Sequence, residues 1–188
     1  MRISMFDKSR YHWRNIKGVF RAEEGISAVE FAMIAPVMFA IYFGAIELSL
    51  MMTLDRKVTT AAATLGDLAA RASTISDSDY ADIIQATRMI MQPNDITTAR
   101  MRLTSIADRD GDGTMEVDWS DGYNMTPRNV GDVYTVPADI VSAGGSVIFA
   151  EIEYDYNSPF TFLVTSTKTL KDEFYLRPRR VDFIERVN

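Results

Sequence analysis

From Phe31 to Met52 the chain reads FAMIAPVMFAIYFGAIELSLMM, an apolar run of 22 residues whose only charge is Glu47. As a helix it would extend roughly 33 Å, enough to cross a hydrocarbon core of about 30 Å. A buried core helix of a globular domain is usually shorter and shows a polar face, and none is visible between Phe31 and Ile46. The run predicts a membrane span. A cleaved secretory signal would have an apolar region of about 7–15 residues and a small-x-small cleavage site. This run is longer and ends in Glu-Leu-Ser-Leu-Met-Met.

Helical character continues beyond the run. Val58, Ala61, Ala62, Leu65, Leu68, Ala69 and Ala72 recur at three- and four-residue steps, which predicts an amphipathic stem continuing the membrane helix. Ser73–Asp79 is a polar break, in which Asp77 or Ser78 is expected to cap a second helix over Tyr80–Met91 that Pro93 closes.

The remainder alternates as strands do. Met101 and Leu103, then Met115, Val117 and Trp119, flank the Asp/Gly-rich turn Asp108–Gly113 and predict a hairpin. Ala150, Ile152, Tyr154 and Tyr156 alternate with Glu151, Glu153 and Asp155 as a half-buried strand, with Lys168–Leu176 expected beside it. Ala143-Gly144-Gly145 and Asn157-Ser158-Pro159 are turn signals. The expected fold class is α+β, a small antiparallel sheet packed on the stem helix, and about 130 residues suffice for one core.

Charge then sets an orientation. Of 188 residues, 20 are Lys or Arg and 26 Asp or Glu, a net charge of −6. The balance is strongly partitioned: Arg2, Lys8, Arg10, Arg14, Lys17 and Arg21 precede the span, whereas the body from Asp55 onward is acidic. Positive charge stays cytoplasmic, so the N-terminus is expected inside and the body in the periplasm.

The missing residues narrow the chemistry. With no Cys there is no thiolate nucleophile, disulfide or Cys-ligated metal. The single His, His12, lies across the span from the body, so no Ser–His or His-metal arrangement can be assembled there. No pair of carboxylates is nominated for hydrolysis. A non-enzyme is expected, and a membrane-tethered hydrolase ranks last among the alternatives.

The residues entering the span are Glu24-Gly25-Ile26-Ser27-Ala28-Val29-Glu30-Phe31. A Glu in the first turn of a membrane helix calls for a reason. Cleavage after Gly25 would give Ile26 a charged α-amine one helical turn from Glu30; an interfacial Glu reaching the headgroups is the plainer alternative. Gly25, four residues, then Glu30-Phe31 resembles the processing site of Flp-type prepilins and of TadE-like pseudopilins of the Tad (tight adherence) pilus system. Ala28–Leu48 resembles the TadE-like signature, with Glu30, Phe31, Pro36, Gly44 and Glu47 aligned. VDWSDG (Val117–Gly122), VIFAEIEYDY (Val147–Tyr156) and FYLRPRR (Phe174–Arg180) look like distal segments of the same proteins.

The resemblance implies a pilin-like, non-catalytic minor pseudopilin acting in assembly of Flp-type pili for surface adhesion, without a cofactor. A prepilin peptidase would cut between Gly25 and Ile26, with Glu30 and Phe31 as recognition elements. Residues 1–25 would be a cytoplasmic leader, 26–54 the transmembrane helix in the inner membrane and 55–188 a periplasmic α+β domain. Partners would be the membrane, the peptidase, other pilin-like subunits and the pilus assembly machinery. The rival reading is a generic signal-anchored periplasmic binding module, calcium-dependent and outside any pilus.

Within the span, Pro36 either kinks the helix for side-by-side packing or is simply tolerated. Gly44, with Ala40 and Ala45, offers a close-approach face. Glu47 would be answered by a snorkelling route to the periplasmic interface or by a partner helix. In the body, Asp108, Asp110 and Asp112 with Gly113 match the first half of a calcium loop, but the position of the required bidentate Glu is Trp119. A solvated hairpin turn is the alternative. Phe174–Arg180 mixes aromatics with guanidinium groups, as single-stranded nucleic acid sites do. The acidic body argues against nucleic acid, and pairing with the Glu151/Glu153 strand or a neighbouring subunit is expected instead.

Overall fold

The computed structural model describes residues 23–137, 140–160 and 165–188. The basic leader as far as Arg21, with His12, lies outside the described residues. The chain divides into two compact units, Met1–Ile46 and Glu47–Asn188. Helix α1, Glu23–Ala70, contributes to both.

The described part of the first unit is the apolar half of α1. Its large side chains, among them Ile26, Phe31, Met33, Ile41 and Tyr42, are exposed. Only 6% of the most apolar 18-residue window of α1 is buried, which is not the burial of a globular core helix. Pro36 sits inside α1 without ending it.

In the second unit, Leu54, Val58, Ala61, Ala62, Leu65 and Ala69 of α1 are buried along one stripe, as their spacing requires. Thr59, Thr60 and Thr64 return their hydroxyls to carbonyls four residues back, so the helix satisfies its own polar groups. Helix α2 spans Asp77–Met91. Its cap is Ser76 rather than Asp77 or Ser78: the Asp79 amide donates to Ser76 Oγ and the Ser76 amide to the Asp79 carboxylate. That reciprocal pair needs an acceptor three residues before Asp79, which only Ser76 supplies.

Strands β2 (Arg100–Ala107), β3 (Glu116–Tyr123), β4 (Ser146–Tyr156) and β5 (Lys168–Leu176) form an antiparallel sheet ordered β3-β2-β4-β5. Both the hairpin and the neighbouring β4–β5 pair follow the sequence expectation. A register shift between Ser105 and Ile106 leaves Asp118 as the extra residue of a bulge. Met101, Leu103, Ala150, Ile152, Tyr154 and Leu170 join the buried residues of the stem in one core.

The stem and sheet approach closely at Gly66. A Cβ there would press on Leu176 Cδ1 and stand 3.2 Å from the Ala150 Cβ. Ala150 is small for the same reason: little room remains between helix and sheet at this point.

A second, two-stranded sheet has no counterpart in the sequence reading. Strand β1 (Thr74–Ile75) pairs in parallel with β6 (Glu185–Arg186). Trp119 Nε1–H donates to Ile184 O at 2.7 Å, tying the segment before β6 to β3.

Candidate functional site

Gly25, Ile26, Glu30 and Phe31 all lie in the first turns of α1 and all are exposed, Phe31 to 67%. One helical turn separates Ile26 from Glu30, so the two share a face. Among the described residues, a side chain on Gly25 would meet nothing within 4 Å. Further along, the Tyr42 and Phe43 rings meet edge to face, 5.6 Å between centroids. Gly44 follows them on the helix.

Glu47 belongs to the second unit and is 0% exposed. Ser158 Oγ donates to its carboxylate from the turn after β4. The body itself supplies a partner, one that neither the snorkelling route nor the partner helix anticipated. Ser158 was legible as a turn residue, but nothing in its local sequence links it to a helix 111 residues earlier.

The Asp108–Gly113 turn is held from within. Asp108 is buried and accepts from the amides of Gly111 at 2.8 Å, Gly113 at 3.0 Å and Gly144 at 2.9 Å. The Gly144 amide foremost, against the opposing effect of burial and with help from Gly113 and Gly111, holds the Asp108 carboxyl below its ordinary value. Gly111 and Gly113 have φ of +76° and +89°, a backbone that favours glycine. The carboxylates of Asp108, Asp110 and Asp112 lie within 4.8 Å of one another. Asp112 accepts from the Thr114 amide at 2.6 Å. Trp119, at the position a calcium loop gives to its bidentate Glu, is in the core. The arrangement is that of a self-bonded turn joining β2 to β3.

Glu151 and Glu153 are paired with arginines other than those of Phe174–Arg180. Arg102 bonds Glu151 at 2.7 and 2.8 Å, and Arg128 bonds the same carboxylate. Arg100 bridges Glu153 and Asp155. Burial raises the Glu151 carboxyl, but the bonds from Arg102 and Arg128 outweigh it and leave the group below its ordinary value. Arg128 also stacks 4.9 Å over Phe149, whose ring meets those of Tyr175 at 4.3 Å and Tyr134 at 5.5 Å. Meanwhile Arg177 donates to the Ile140 carbonyl, and Arg179 reaches Asp67 on the stem at 2.5 Å. Register explains the difference: Arg100 and Arg102 stand directly opposite Glu153 and Glu151 in the sheet.

Residues 25–65 match the family model described as TadE-like protein. No curated protein and no solved structure matches the chain. Over that stretch the chain is similar to the family its sequence resembles. The matched segment runs from Gly25 through the apolar run to Leu65 on the buried stripe of the stem. The match includes the apolar part of α1, a helix long and apolar enough to anchor the chain in a membrane.

Proposed function

We propose that the protein is a minor pseudopilin-like component that acts without catalysis in the assembly of Flp-type (Tad) pili for surface adhesion. The observation that carries this reading is the coincidence of the TadE-like match, residues 25–65, with a helix whose apolar half is exposed and whose stem is buried in an α+β body. Exposed apolar surface on that scale needs lipid or other apolar helices around it.

The helix spans the inner membrane, with the N-terminus cytoplasmic and the α+β body periplasmic. A prepilin peptidase removes residues 1–25, recognising Gly25, Glu30 and Phe31. The Ile26 amine then lies one turn from Glu30 and can pair with it or with a neighbouring subunit's carboxylate. Lateral packing with other pilin-like helices uses the face around Pro36 and Gly44, while the body meets the assembly machinery.

Deletion of the gene tests this. Surface fibres and attachment should be lost while synthesis of the major pilin continues, with recovery on complementation. Normal piliation in the deletion strain would contradict the proposal.

A further inference from the structure

The turn after β4 is tied to a point inside the apolar run. Ser158 Oγ donates to the Glu47 carboxylate, and the Phe160 amide donates to the same Ser158 oxygen at 3.3 Å. Glu47 lies five residues before Met52, where the run ends. At the rise of an α-helix that is roughly 7.5 Å. Pro159 and Leu50 line one cleft, which puts the turn alongside this last stretch of the run.

The surface at that level is apolar. Phe160 is 46% exposed, and Pro159 is exposed beside it. Leu48, Leu50 and Met52 of α1 are exposed as well. No charged residue occurs from Asn157 to Thr167. The charges that flank this stretch are Asp155, paired with Arg100, and Lys168 at the start of β5.

A single exposed Phe on a soluble body would need no explanation. Depth makes this one different. On the membrane-spanning reading, on which this inference rests, the end of the run at Met52 marks the outer edge of the hydrocarbon core. A turn held at Glu47 then stands below that edge, where its exposed side meets acyl chains and not water. Backbone groups are tolerated there only when satisfied, and Ser158 satisfies the Phe160 amide.

We propose that the turn after β4 is a second membrane contact of the body, with Pro159 and Phe160 lying among the acyl chains of the periplasmic leaflet beside Leu48 and Leu50. A lone helix can rotate about its own axis in lipid. A second point of insertion off that axis fixes the height of the body and the face of α1 that is turned toward neighbouring helices.

The chain has no Cys, so one Cys substitution carries one nitroxide label. Phe160→Cys, Pro159→Cys, Phe39→Cys and Val133→Cys are prepared in the full chain, at one chain per phospholipid nanodisc. Phe39 lies in the middle of the run. Val133, 68% exposed, pairs with Glu116 at the end of the sheet away from Tyr156. Electron paramagnetic resonance compares collision with oxygen, which concentrates in lipid, and with a water-soluble nickel chelate. Labels at 159 and 160 should favour oxygen as the label at 39 does, with nickel access about fivefold or more below that at 133. Near-ultraviolet circular dichroism reports that each body remains folded. Nickel access at 159 and 160 equal to that at 133, while the label at 39 reports lipid, would overturn the proposal alone. Protection from both reagents, or protection seen only above one chain per disc, would assign the turn to a neighbouring protein helix and overturn it too. A label at 39 open to the nickel chelate would overturn the membrane reading and the proposal with it.

Discussion

Glu47 and Ser158, 111 residues apart in sequence, share a buried hydrogen bond that joins the start of the stem to the turn after β4. A carboxylate at this point of an apolar helix therefore has a reason within the chain. Removing the hydroxyl leaves a buried acceptor short of one donor, at a cost of about 1–3 kcal/mol. Ser158→Ala should lower the stability of the body by that amount, read by thermal unfolding in detergent, and Ser158→Thr should recover part of it. Unchanged stability in Ser158→Ala would argue that the bond is incidental.

Gly66 is expected to be intolerant of bulk. A branched side chain there must displace Leu176 and meet Ala150, whose Cβ has nowhere to go. Gly66→Val should cost about 1–3 kcal/mol, as over-packing of a closed core usually does. Pairing it with Leu176→Ala should restore part of the loss, because the two changes act on one contact. Strict additivity in the double variant would place the strain elsewhere.

Stability should depend on pH from the acid side. The folded-state pKa values of Asp108 and Glu151 both lie below their ordinary values. Each group therefore stabilises the fold fully above its unfolded pKa, and that contribution is lost as pH falls through the folded one. The melting temperature should be nearly level from about pH 7 to about pH 5 and fall below about pH 4. Asp108→Asn should make the acid fall shallower. A melting temperature that rises on acidification would have the wrong sign.

The Asp-rich turn should behave as structure rather than as a calcium site. Asp108 spends both carboxylate oxygens on backbone amides. Calorimetric titration with millimolar calcium should show no heat, and Asp108→Ala should destabilise the body equally with calcium or with chelator. Heat of binding, abolished by Asp110→Asn, would instead favour the calcium-dependent binding module.

What the sequence reveals here is whatever repeats at a fixed period. The apolar run, the stem stripe from Val58 to Ala69 and the alternation of Ala150–Tyr156 each name an element and the face it buries. The Asp/Gly turn placed the β2–β3 hairpin correctly. Interactions without a period stayed hidden. Ser76 competes with Asp77 and Ser78 as a cap, and only the position of Asp79 decides among them. The β1–β6 pair is two residues long, too short for any pattern. The Arg partners of Glu151 and Glu153 depend on strand register, and Glu47 depends on a chain reversal far away. At the proposed processing site the situation is the opposite: Gly25, Glu30 and Phe31 are legible as a motif, while among the described residues their exposed positions on α1 add no packing partner.

The most direct test of the central claim is the intact mass of the protein extracted from membranes of a strain with an active prepilin peptidase. A mass corresponding to a chain that begins at Ile26 is expected, with Gly25→Trp leaving the uncut form. A native protein that retains Met1–Gly25 under those conditions would contradict the account.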